Sequence, residues 1–333
     1  MRGISSPLLQ KFWQTLAHAN TDLFTAETFS RLTRTPLLDS AAIADLRQRA
    51  LHLLETQTGN KSVLQRQHGE YVSPRRGMGL DYEESRVYLP GDDMRFMNWR
   101  LTARTNEAHV KVFREERQPG AFILFDRRSS MRFGTHTRLK VTQALRAAIV
   151  LAFYQHYSGR VLSGGIMDES LHWLDSADDE QGVLALIAAM NKPCPPQPVP
   201  AQNAALLHAL RVMQNTVIRG TQVYLVSDFM DLDQTCQAVL AHLAAQHEVS
   251  AIHVTDPVEL QLPQAGKLRL TSTAAVAPRE VDTADPGLAS QFQHAAQQHL
   301  SRCESLLRGA GVAYARLMSS TDTLESHILL PTS

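Results

Sequence analysis

Chemistry is most concentrated at the ends of two short apolar runs. The run Ala121–Phe125 stops at Asp126 and is followed by Arg127, Arg128, Ser129 and Ser130. A second run, Gln222–Val226, stops at Ser227 and Asp228. Short, continuously apolar segments that end at a polar turn read as buried parallel strands. Ligands of open α/β sheets bind beyond the carboxyl ends of such strands, where strand order reverses. Asp126, Ser129 and Ser130 therefore sit where a site is expected, and the open question is what Arg127 and Arg128 do there. An aspartyl-phosphate phosphatase would carry a second aspartate two residues after the first, and Arg128 occupies that place.

Other reaction chemistries lack their motifs. There is no G-x-x-x-x-G-K-[ST] phosphate loop, no G-x-S-x-G elbow and no H-E-x-x-H zinc helix. Gly77-x-Gly79 lacks the third glycine of a dinucleotide fingerprint. The 14 histidines are scattered, and His242/His247 and His294/His299 have a spacing that suits neither a helix face nor a metal. Cys194, Cys236 and Cys303 are odd in number and far apart, which argues against a disulfide framework or a zinc site. The 33 basic and 33 acidic residues cancel, so bulk charge points to neither nucleic acid nor membrane. Apolar runs are far shorter than the roughly 20 residues of a span, and Lys11 interrupts any signal-peptide core. A cytoplasmic protein with reduced thiols is expected.

Elements that would position the two aspartates follow in order. Residues 1–60 read as helical, with Leu8, Leu9, Phe12, Trp13 and Leu16 at helical spacing and a second helix from Asp39 or Ser40 to about Thr56. From residue 121, strands alternate with helices: strand to Asp126, helix to Tyr157, strands at Arg160–Met167 and Ser170–Leu174, and a helix to Met190 capped by Asp178 or Asp179. The proline run 193–200 is an extended connector. Helix Asn203–Gln214, strand Gln222–Val226, a helix near 232–246 and strand Val249–Val254 come next. Residues 257–283 read as an irregular insertion with two short β-like pieces. Helix Gly287–Leu307, strand Val312–Leu317 and a short tail helix to Leu330 complete the pattern. Such alternation predicts an α/β fold with a mainly parallel sheet over 119–333.

Residues 61–118 differ. Segments such as RVYLP and HVKVFRE alternate with turn signals, which predicts a β-rich module of hairpins rather than helices. Within it, Arg86–Arg104 packs four arginines, two adjacent aspartates and Trp99 into 19 residues. Two readings stay open: an ordered polar network or docking surface, and a solvated, salt-bridged hairpin in which each exposed pair contributes about 0–1 kcal/mol.

The order Gly77-x-Gly79-x-Asp81-Tyr82, Arg86-x-Tyr88-x-Pro90-Gly91-Asp92-Asp93-x-Arg95, Asn98-Trp99 and Ala103-Arg104 closely resembles the signature of the bacterial "domain of unknown function 58" family, which usually has Asp where this chain has Asn98. The resemblance covers about 60–255. It implies a von Willebrand factor A-like (Rossmann-like) domain from 121 onward, and work beside a MoxR-type AAA+ ATPase or its client in a chaperone-like role. Arg86, Tyr88, Pro90, Gly91, Asp92, Asp93, Arg95, Trp99 and Arg104 become signature residues for partner binding or structure.

A-like domains often carry a metal-ion-dependent adhesion site with a D-x-S-x-S motif, a threonine loop and a later aspartate. The resemblance places Asp126 and Ser130 in the first motif and Asp228 in the third. Arg128 replaces the middle serine, and the loop at Pro200-Ala201-Gln202-Asn203 offers no hydroxyl. Mg²⁺ takes six oxygens in near-octahedral geometry; guanidinium removes a ligand and adds a permanent charge. Like unit charges at about 4 Å repel by roughly 4 kcal/mol at an effective dielectric of about 20. The expectation is a degenerate site in which Arg128 stands in for the cation by bridging Asp126 and Asp228. The chain is then a non-enzymatic adaptor needing no cofactor. The alternatives are a Mg²⁺- or Mn²⁺-dependent ligand-binding module and an enzyme using the Asp/Arg-rich loop.

Overall fold

A computed structural model describes residues 35–58, 80–90, 92–115, 120–132, 134–135, 137–168, 170–194, 206–263, 266–270 and 279–325. The expected first helix, Gly77, Gly79, Gly91, the 200–203 loop and the tail helix beyond 325 lie outside these residues. Two compact units form, one from 1–59 with 119–333 and one from 60–118.

The larger unit begins with helix α1 (Ser40–Thr58). In the smaller unit, β1 (Leu80–Val87) pairs antiparallel with β2 (His109–Glu115), with a register shift between Tyr82 and Glu84. Between them lie a 3-10 turn at Met94–Phe96 and a helix, α2 (Trp99–Thr105). This helix corrects the expectation of hairpins alone. Local capping sets it: the Asn98 side chain accepts the Leu101 N–H, and Asn106 closes the far end in the left-handed region at φ 60°. Asn and Asp cap equally well, so an aspartate at position 98 would give the same local geometry.

The remaining elements belong to the larger unit. They are β3 (Ala121–Asp126), α3 (Lys140–Tyr157), β4 (Leu162–Met167), β5 (Leu171–Ala177), α4 (Glu180–Met190) and α5 (Leu206–Thr216), followed by β6 (Gln222–Ser227), α6 (Gln234–Ala244) and β7 (Glu248–Thr255). A hairpin of β8 (Lys267–Leu270) and β9 (Arg279–Asp282), then α7 (Pro286–Gly309) and β10 (Ala313–Met318), complete it. The segment expected to be irregular thus holds this hairpin and a 3-10 turn with a capping box at Asp256 and Glu259.

Six strands form one sheet in the order β10-β7-β6-β3-β4-β5. Every neighbouring pair is parallel except β4 and the edge strand β5. From β3 the chain winds outward to β4 and β5, then returns to β6 on the other side and winds away to β7 and β10. The switch of direction falls between β3 and β6, where a doubly wound sheet opens its crevice.

Helices cover both faces. Ala121, Ile123 and Phe125 of β3 enter one layer with α1, α3 and α4, while Phe122 and Leu124 enter the other with α5, α6 and α7. All six residues of β3 are buried, which is why the strand reads as an unbroken apolar run. Leu46, Ala50 and Leu53 put α1 inside the first layer, against α3.

Candidate functional site

Four adjacent parallel strands each deliver an aspartate to the carboxyl edge of the sheet. In spatial order these are Asp256 after β7, Asp228 after β6, Asp126 at the tip of β3 and Asp168 after β4. Asp126, Asp228 and Asp256 are buried to within 1% of complete. Left unpaired, such a row would repel itself and lose its hydration at large cost. Each member is instead taken by donors from the same unit.

Arg128 forks onto Asp126. Its Nε donates to both carboxylate oxygens at 3.0 and 3.2 Å, and one terminal nitrogen donates at 2.8 Å. The Arg128 N–H adds a bond at 3.0 Å, and Ser227 Oγ donates to Asp126 at 2.6 Å. The second carboxylate on Arg128 is Asp231, reached at 2.8 and 2.9 Å. This corrects the expectation that Arg128 bridges to Asp228. Asp231 also accepts the Leu206 N–H that opens α5, so one carboxylate joins Arg128 to a helix start.

Asp228 has its own cation. Lys140, the first residue of α3, places its ammonium 2.9 Å from Asp228 Oδ2 and 2.5 Å from Glu259 Oε1. Ser130 also donates to Asp228, so Ser130 belongs to this cluster. Phe229 sits at φ 51°, the strained left-handed region for a bulky residue, and its N–H donates to Ser227 Oγ. That turn directs Asp228 and Asp231 to different cations.

Asp168 takes Arg132 at 2.6 Å and lies 3.1 Å from Arg127 Nε. Arg127 also donates to the Pro193 carbonyl, and Arg132 to the Arg127 carbonyl. Asp256 has no cation among the described residues. It accepts both the N–H and hydroxyl of Thr135, the Ser319 hydroxyl and the Val258 N–H.

Protonation follows these partners. Burial pulls Asp228 upward, but Lys140, Arg128 and the Lys140 and Ser130 hydrogen bonds outweigh it and hold the group below the usual carboxylate range. Burial wins at Asp126 and Glu259 and raises both, against Arg128 and Lys140 respectively. For Arg128 and Lys140 burial is outweighed by the flanking carboxylates, so both stay charged. His253, edge-on to Phe229, is pushed by burial to about 3 and is neutral near pH 7. The gap lined by Asp228, His253, Thr255, Glu259 and His299 leaves about 10 Å³, room for about one water.

This donor set does not fit a divalent cation. Arg128 takes both oxygens of Asp126, and Lys140 takes Oδ2 of Asp228. A metal bridging both carboxylates would have to displace Arg128 from Asp126 and sit against the Lys140 ammonium. Asp126, Arg128, Ser130 and Asp228 are thus brought together, with a division of partners that sequence reasoning did not anticipate. Lys140, Asp231, Glu259, Asp168 and Asp256 were missed. Asp168 and Asp256 carried the same signal as Asp126: each directly follows an apolar run, GGIM and AIHVT.

The signature residues lie on the smaller unit. Arg86 forks onto Asp92 at 2.7 and 2.8 Å, and Asp92 also accepts the Leu89 N–H. Arg95 forks onto Asp93. The Tyr88 N–H donates to Ala108, and Asn98 N–H to His109, so both ends of the 88–98 loop are tied to the approach and first residue of β2. Pro90, Trp99 and Arg104 are exposed.

Residues 84–302 match the family described as "Protein of unknown function DUF58". The chain belongs to that family. Uncharacterized protein Rv1480 of Mycobacterium tuberculosis is a fellow relative, 31% identical over 261 residues that cover 77% of this chain and 80% of that one. Uncharacterized protein MAV169 of Mycobacterium avium is 33% identical over 43% of this chain and 81% of its own length. Among solved structures, this DUF58 chain is similar to the conserved hypothetical protein BatB from Bacteroides thetaiotaomicron, with 12% identity, a TM-score of 0.40, and coverage of 62% of this chain and 94% of that one. A mutated aerotolerance-related membrane protein from Bacteroides fragilis gives 11% identity and a TM-score of 0.38, covering 63% of this chain and 96% of that one. No described helix is long and apolar enough to cross a membrane.

Proposed function

We propose that this DUF58 protein is a non-enzymatic, chaperone-like adaptor that works with a MoxR-type AAA+ ATPase or its client. Its platform is a von Willebrand factor A-like domain whose adhesion-type metal site has become a set of internal ion pairs. The observation that carries the reading is the pairing at the switch point: Arg128 on Asp126 and Lys140 on Asp228, all four buried. The six-strand order with a single antiparallel edge strand is compatible with that fold.

A crevice saturated in this way has a mechanical consequence. Arg128 ties β3 to the start of α5, and Lys140 ties the start of α3 to β6 and to the turn after β7. The carboxyl edge becomes a braced surface instead of an open coordination site. Recognition then falls to exposed elements, chief among them the Arg86–Arg104 stretch.

The test is reconstitution of the purified full chain with a MoxR-type ATPase encoded beside it. Stable co-purification and altered ATP turnover, both unchanged by a chelator, are expected. Dissociation by chelator with restoration by Mg²⁺ would favour the metal-dependent module, and substrate turnover by the isolated chain would favour an enzyme. Either result overturns the adaptor reading.

A further inference from the structure

The loop that carries the signature presents apolar side chains outward while its polar groups are used internally. Val87, Leu89, Met94 and Trp99 are 50, 59, 64 and 64% exposed, and Phe96 is 37% exposed. Large apolar residues at that exposure, all between residues 87 and 99, point to a surface made to be covered. The loop's polar groups carry its architecture. Its shape is held by the Arg86–Asp92 fork, the Asp92 bond to Leu89 N–H, the Asp93 cap of the 3-10 turn and the two ties to residues 108–109.

Charge decides what kind of partner fits. Asp92 and Asp93, the acidic residues of the stretch, are each occupied bidentately by Arg86 and Arg95. Arg100 and Arg104, one helical turn apart on α2 beside Trp99, are exposed and have no acidic partner among the described residues. Two unpaired guanidinium groups next to Trp, Phe and Met reproduce the composition enriched at interface centres. A second copy docking through the same stretch offers these arginines no uncommitted carboxylate, because its Asp92 and Asp93 are already paired.

We propose that Val87–Arg104 is a docking surface for an acidic segment of a partner protein that carries aromatic or branched apolar anchors. The apolar anchors cover Leu89, Met94, Phe96 and Trp99, and the partner's carboxylates pair with Arg100 and Arg104. This rests on the adaptor reading and specifies the partner's chemistry at an exposed loop of this chain.

The test is selection of a displayed random 12-residue peptide library on the full chain. Selection is repeated on the triple variant Trp99→Ala/Arg100→Glu/Arg104→Glu, whose positions are exposed and whose fold is checked by circular dichroism. Enriched peptides combining Asp or Glu with Phe, Trp, Leu or Ile are expected. Fluorescence anisotropy of the best one should show about thirtyfold weaker binding to the triple variant, and weaker binding to wild type as salt rises. The charge reversal should also turn selection toward basic peptides, which loss of folding cannot do. Basic peptides on the wild type, or peptides indifferent to the three substitutions, overturn the proposal. So does self-association abolished by the triple variant in sedimentation velocity, or nucleic-acid binding abolished by it. An ATPase complex that survives the triple variant intact sinks this surface and leaves the adaptor reading standing.

Discussion

Replacing Lys140 by methionine removes the ammonium that Asp228 and Glu259 share while keeping most of the side-chain volume. The Lys140 and Asp228 side chains are each 1% exposed and Glu259 is 12% exposed, so bulk water does not take the lysine's place, and the adjoining gap has room for about one molecule. Glu259 is already raised by burial and will take up a proton. Asp228 cannot do so cheaply. It keeps the Ser130 donor, a long bond from Met230 N–H and the field of Arg128, but loses its strongest partner. Stranding one member of a buried pair costs about 3–5 kcal/mol, and the retained donors put the expectation near about 3. That is a large part of the roughly 5–15 kcal/mol that holds a domain together. Urea denaturation followed by far-ultraviolet circular dichroism measures it. The double variant Lys140→Met/Asp228→Asn removes the stranded charge and should recover about half of the loss, a coupling that a mutant cycle isolates. The sign with pH is also set. Asp228 is depressed in the folded wild type, so its pairing stabilises above the unfolded pKa of about 4 and fades as pH falls through the folded value. The variant lacks this contribution, so the gap between the two proteins narrows on acidification below about pH 4. A loss under about 1 kcal/mol, or a double variant no more stable than the single, would refute the reasoning.

Other residues make further predictions. His253 is held neutral down to about 3, while an unfolded histidine protonates near 6.5. Stability from this residue is therefore present above about pH 6.5 and lost as pH falls, by about 2 kcal/mol at pH 5. His253→Gln should flatten that limb in urea melts, and the difference from wild type isolates it from His299, His247 and His156, which burial also lowers. Asn98→Ala should cost the α2 cap about 1 kcal/mol and speed amide exchange across 99–105, whereas Asn98→Asp should leave exchange unchanged. Gly120→Ala would put a Cβ 2.5 Å from the Val161 carbonyl, the same oxygen that accepts the Ala121 N–H. A loss of about 1–3 kcal/mol in chemical denaturation is expected.

What the sequence reveals depends on how local the cause is. β3 is legible to the residue because a strand buried on both faces must be apolar throughout and must end where the sheet meets polar surroundings. The cap of α4 is similarly local, at Asp179. Helix α2 is hidden because its seven residues include Trp99 and two threonines and carry no apolar stripe; only Asn98 and Asn106 announce it. The site divides in the same way. Asp126 and Arg128 are two residues apart, so their pairing could be anticipated. Asp231 lies 103 residues from Arg128, and Lys140 lies 88 from Asp228. At the start of a helix, Lys140 looks like a solvated charge, and only the fold shows that the first turn of α3 is buried beneath the sheet edge.

The central claim is that the crevice at the β3/β6 switch is closed by its own cations. Titration calorimetry of the full chain with Mg²⁺ and then Mn²⁺, compared with Asp126→Ala, tests it most directly. The account predicts no stoichiometric, saturable heat with either ion on the wild type. One-to-one binding that disappears in Asp126→Ala would contradict it, because the metal would then have displaced Arg128 from the carboxylate it is assigned to hold.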